Sequence, residues 1–64
     1  MPSNKDIYIS ANIVIQQHQE DALYHAAWEL FKFVDAENID GAIVWGQIFR
    51  TIIELQNTDG DIIH

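Results

Sequence analysis

Ile7-Tyr8-Ile9-Ser10-Ala11-Asn12-Ile13-Val14-Ile15-Gln16 is the stretch whose reading decides the fold. Every odd position in it is apolar, and the β-branched content suits a half-buried strand. The same residues also fit a helix, because Ile7, Ala11, Val14, Ile15 and His18 fall on one face at helical spacing. The flanking chain decides between the two. Ser3 and Asp6 have capping-box spacing, with Asp in place of Glu or Gln, and in that register Pro2 and Ile7 take the positions of a hydrophobic staple. A strand here would also lack an evident partner elsewhere in the chain, leaving a row of backbone donors and acceptors open. The segment is expected to be a helix over residues 4–18.

Working outward, the second segment opens on Glu20 and Asp21, which suit the positive end of a helix dipole. Leu23, Ala27, Leu30 and Val34 recur at helical spacing as a core stripe, flanked by Ala26 and Phe31, with His25, Glu29, Lys32 and Ala36 on the opposite face. Ala22, Ala26 and Ala27 are small enough for a neighbouring helix to come close. This predicts a helix over 20–37, with Asn38 as the left-handed residue that ends it. Asp40 reads as the N-cap of a third helix over 41–56, with Ile39 and Val44 in staple positions. Trp45, Ile48, Ile52 and Leu55 form its apolar stripe. Gly46 inside it costs about 1 kcal/mol relative to Ala. Either close contact with another backbone or an exposed position would account for it. Gln56-Asn57-Thr58-Asp59-Gly60 is a stop followed by a turn, and 57–64 is expected to be a short flexible tail, frayed or laid against the helices. The short connections make consecutive helices antiparallel neighbours. The expected fold is all-α, a small three-helix bundle forming a single domain over 1–64.

Composition narrows the function classes. A chain of 64 residues buries only about 60% of the surface it exposes when unfolded, so its stability is expected to be modest or to depend on association. There is no cysteine, hence no disulfide and no thiolate metal site. The net charge is −7, and the three bases, Lys5, Lys32 and Arg50, are far apart in sequence. Nucleic-acid binding needs clustered bases and is not expected. No apolar run approaches the roughly 20 residues of a membrane span, and the first residues lack the basic and apolar regions of a signal peptide. A cytoplasmic protein without membrane contact is expected.

His18, Glu20, Asp21, Ala22, His25, Ala26 and Ala27, then Asp40, Gly41, Val44, Trp45, Ile48, Ile52, Leu55 and Gln56, together resemble the pattern of a family of short bacterial proteins of unknown function. That pattern runs His-Gly-acid-acid-Ala, then Asp-Gly, Val-Trp, an Ile three residues on and a closing Leu-Gln. Ala11 and Ile15 extend the likeness into the first segment. Gln19 stands where the pattern has Gly, and Glu37-Asn38 where it has Gly-Asp. The resemblance implies a helix for the first segment and implies no activity.

No catalytic constellation emerges. Ser3 and Ser10 lie near the start without a signature around them, and so short a chain has little volume for a pocket of the usual few hundred Å3. An enzyme is not expected, and no cofactor is implied. His18, Glu20, Asp21 and His25 could converge on a metal, but His18 and His25 are seven apart rather than three or four, so no metal site is assigned. His18 reads more simply as a cap at the end of the first helix and His25 as an edge residue of the second.

The aromatics say more. Tyr24, Trp28 and Phe31 form a second stripe on the second helix, rotated from the core stripe, and Phe49 and Ile53 flank the main stripe of the third. A helix apolar around most of its circumference usually has contacts on two sides. One reading is a small bundle whose large side chains stay partly exposed. The other makes Tyr24, Trp28, Phe49 and Ile53 a candidate interface. On that reading the chain is a helical interaction module that binds another protein or, as a homodimer, a second copy of itself. The alternative function is a small acidic regulator of a larger partner, antitoxin-like or inhibitor-like, motivated by the charge and by Asp35, Glu37 and Asp40 at the second connection.

Overall fold

The structure, a computed structural model, describes residues 3–56. Pro2 of the expected staple and the expected tail at 57–64 lie outside the described residues. Every element among the described residues is helical: α1 (Asn4–His18), one turn of 3-10 helix (Gln19–Asp21), α2 (Ala22–Asp35) and α3 (Ile39–Gln56).

The capping box starts α1 as the spacing predicted. Ser3 Oγ accepts from the Asp6 N–H at 3.2 Å, and Asp6 Oδ2 accepts from the Ser3 N–H at 3.4 Å. Ile7, Ala11 and Val14 are buried, whereas Ile9 and Ile13 are exposed. The 3.6-residue period thus overrides the alternation. A stripe one side chain wide is what two neighbouring helices can cover, and the odd-numbered isoleucines outside it stay in water.

Both connections turn on a residue with positive φ. Gln19 caps α1 at φ 48° and ψ −113°, its N–H bonded to the Ile15 carbonyl. The chain then runs through the 3-10 turn, so Glu20 and Asp21 precede α2 rather than open it. At the far end Glu37 has φ 59°. Its N–H donates to Val34 O at 3.0 Å and the Asn38 N–H donates to Phe33 O at 2.9 Å. These are the two bonds of a Schellman motif, which places its left-handed residue at Glu37. The expectation that Asn38 is left-handed is therefore corrected. Asn38 instead caps α3: its Oδ1 accepts from the Gly41 N–H at 3.0 Å, and its carbonyl accepts from the Ala42 N–H at 3.0 Å. Asp40, read as the cap, lies one residue inside the helix start, which also removes the Ile39–Val44 staple and leaves Ile39 exposed. Gln19 and Glu37 are the two positions at which the pattern quoted above has Gly and this chain does not.

The core is Ile7, Ala11 and Val14 of α1, Ala22 and Ala26 of α2, and Ile48 and Ile52 of α3. Leu23, Val44, Trp45, Phe49 and Leu55 pack around it while half-buried. The apolar stripe of α3 is as expected. That of α2 is not: Val34 is exposed, while the Glu29 side chain, assigned to the outer face, is only 19% accessible. At 100° per residue the inward face is turned by roughly a quarter turn from the Leu23–Val34 stripe, toward Ala22, Ala26 and Phe33. Close packing explains the shift. Two alanines allow α2 to approach its neighbours, and the larger leucines ride at the rim.

The two internal glycines behave oppositely. A Cβ on Gly41 would overlap the Phe33 ring, so the turn between α2 and α3 closes only because that side chain is missing. A Cβ on Gly46 would meet nothing within 4 Å, which rules out close contact with another backbone there, although the residue itself is half-buried. No helix among the described residues is long and apolar enough to cross a membrane.

Candidate interaction surface

The molecule measures 38 × 22 × 22 Å. Its girth is about two helix diameters of 10–12 Å, so each helix keeps one side in water. The inward turn of the alanines on α2 sends its largest side chains outward. Tyr24 is 78% exposed, Trp28 56% and Phe31 71%, and Val34 adjoins them. Side chains of this kind can each bury about 150–250 Å2, so these three aromatics leave on the order of 400 Å2 open. Monomers seldom expose contiguous apolar patches beyond a few hundred Å2.

Tyr24 stands as a ridge between two grooves. One, of about 440 Å3, is lined by His18, Asp21, His25 and Trp28 with Tyr24. The other, of about 360 Å3, is lined by Glu20, Leu23, Ala27 and Phe49 with Tyr24. The structure therefore brings three of the four predicted interface residues, Tyr24, Trp28 and Phe49, around one ridge. Phe49 forms a groove wall and also packs against the core. Ile53 is half-buried and lines neither groove. Phe31 belongs to the exposed face although the candidate set omitted it. Its signal in sequence was its position three residues after Trp28.

Charges border this face rather than interrupt it. Glu20 and Asp21 lie at one end of α2, and Asp35, Glu37 and Asp40 lie exposed at the other. Between them Glu29 turns inward, 3.2 Å from Lys32 Nζ and 3.7 Å from His25 Nε2. Lys32 Nζ also lies 4.5 Å from the centre of the Trp28 ring, a cation–π contact along the edge of the face.

His18 and His25 sit at the α1–α2 junction. Their rings stack, with centroids 4.0 Å apart and planes 14° from parallel, and His25 meets the Trp45 ring edge-on at 5.9 Å. His18 is thus a packing surface for His25. No group of three or more His, Cys, Asp or Glu side chains that could hold a metal ion occurs among the described residues.

No family model, curated protein or solved structure matches the chain, so the outer face of α2 stands as the candidate site on its geometry.

Proposed function

We propose that this chain, folded as a small bundle of three helices, is a protein–protein interaction module that self-associates and has no catalytic activity of its own. The observation that carries the reading is the row Tyr24, Trp28 and Phe31, exposed side by side on α2 of a chain with net charge −7. An acidic protein remains soluble as a monomer without such a row, and aromatic side chains are enriched where proteins meet. Uncharged apolar surface bordered by charge is the usual anatomy of an interface, with its core dry and its rim polar.

Sedimentation equilibrium tests the reading. The expected mass is a multiple of the 7.4 kDa chain at micromolar concentrations. Replacing Tyr24 and Phe31 together by Glu should return it to the monomer mass with the helical circular dichroism unchanged, because both side chains lie outside the core. A monomer at millimolar concentration for the unmodified chain would overturn self-association.

A further inference from the structure

We infer that the Asp40–Gly41 peptide is a site of isoaspartate formation and that the Asn38 side chain guards it. By capping α3, Asn38 holds the one amide nitrogen placed in sequence to attack the Asp40 carboxyl group.

An Asp-Gly pair is the most open to this reaction, because Gly has no side chain to hinder its own amide nitrogen. The Gly41 nitrogen attacks Asp40 Cγ, a water is expelled, and a five-membered succinimide closes. Water then adds to one of its two carbonyls. Opening at the β-carbonyl returns aspartate, and opening at the α-carbonyl gives isoaspartate. One water leaves and one returns, so the product has the mass of the parent. The chain holds two such pairs, Asp40–Gly41 and Asp59–Gly60, of which the second lies outside the described residues.

Packing imposes the first pair. A Cβ at position 41 would overlap the Phe33 ring, so the turn between α2 and α3 needs Gly directly after Asp40. Asp40 itself is exposed. The attacking nitrogen is not free: the Gly41 N–H donates to Asn38 Oδ1 at 3.0 Å. Attack requires this nitrogen to lose its proton and to turn toward Asp40 Cγ, and the bond opposes both. The Ile39 and Asp40 amides, at the two positions before it, have no acceptor within the helix. The first turn of α3 therefore hangs on Asn38, whose backbone carbonyl also accepts from the Ala42 N–H at 3.0 Å. Losing the side-chain bond alone frees the Gly41 nitrogen and leaves the Phe33 contact in place. Isoaspartate carries the main chain through Cβ and Cγ, one carbon longer than before. That extra carbon would displace Gly41 against the Phe33 ring.

Trypsin cleaves after Lys32 and Arg50, which places the two Asp-Gly pairs on separate peptides, 33–50 and 51–64. The intact protein is held for weeks at neutral pH and physiological temperature. Isoaspartate in each peptide is then counted by labelling with an isoaspartyl methyltransferase. Asn38→Ala should raise the rate at position 40 severalfold and leave that at position 59 unchanged. Asn38→Ser keeps an acceptor for the Gly41 N–H and should stay near the parent rate. Ser3→Ala removes the matching cap of α1, where Ser3 Oγ accepts from the Asp6 N–H, and should change neither rate. That control separates local opening of α3 from a general loss of stability. Equal acceleration by Ser3→Ala and Asn38→Ala would mean that the reaction runs through global unfolding, and would overturn the guard. Equal rates in Asn38→Ala, Asn38→Ser and the parent would overturn it as well. If Asn38→Ala does not fold, hydrogen exchange of the unmodified chain decides. The Gly41 amide should then exchange severalfold more slowly than those of Ile39 and Asp40, and equal exchange would remove the proposal.

Discussion

The side-chain amide of Gln56 donates to the backbone carbonyl of Gln19 at 3.0 Å, tying the last residue of α3 to the bend between α1 and α2. It fastens the end of one helix to a residue 37 positions earlier, at the point where the backbone takes an unfavourable conformation. Gln56→Ala should lower stability by about 0.5–1.5 kcal/mol. For a domain of this size that is a fall in melting temperature of roughly 2–10 °C, read by circular dichroism. No change would mean that the bond contributes nothing in water.

Gln19 and Glu37 both hold positive φ with a Cβ in the way. A residue other than Gly in such a region costs about 1–3 kcal/mol. Gln19→Gly and Glu37→Gly should each raise stability by about 1 kcal/mol, net of the greater freedom Gly gains in the unfolded chain. The Gln56 bond survives the first change, because it uses the Gln19 backbone carbonyl. Urea unfolding measures both, and a loss of stability in either variant would contradict the backbone described.

The two glycines of α3 should respond with opposite sign. Gly46→Ala fills open space and gains helix propensity, for an increase of about 0.5–1 kcal/mol. Gly41→Ala gains the same propensity but drives a methyl into the Phe33 ring, and overpacking of that kind costs about 1–3 kcal/mol. The clash wins, so this variant should be less stable than the parent. Equal effects from the two substitutions would refute the contact with Phe33.

Ile52 is fully buried where α1, α2 and α3 meet. Ile52→Ala should cost about 2–5 kcal/mol, a large share of what so small a domain has. Loss of the cooperative thermal transition is the expected result. Ile39→Ala, at an exposed position of the same helix, should change stability by less than about 0.5 kcal/mol.

Much of this was legible in the chain. Ser3 and Asp6 identified the start of α1, and Trp45, Ile48, Ile52 and Leu55 identified the inward side of α3, because local capping and apolar period act within a single helix. In the turn between α2 and α3 the left-handed residue was misread by one position and the N-cap by two. Asn38 and Asp40 are both good caps, and only the backbone bonds to Phe33 and Val34 decide between them. The inward side of α2 was misread for a different reason. Hydropathy ranks Leu30 and Val34 above Ala22 and Ala26, whereas helix spacing rewards the smaller side chain. That same rotation leaves Tyr24, Trp28 and Phe31, grouped in the sequence as a second stripe, on the outer side of α2.

The two connections have a kinetic consequence. Each helix packs against its neighbours through links of three residues, Gln19–Asp21 and 36–38. Little chain entropy is lost in bringing neighbouring helices together, and topologies dominated by such local contacts fold in microseconds to milliseconds. Association of two folded copies, by contrast, is bimolecular and slows on dilution. Stopped-flow refolding should therefore separate into a fast phase independent of protein concentration and a second phase whose rate rises with it. The Trp28 indole at the surface is placed to report the second.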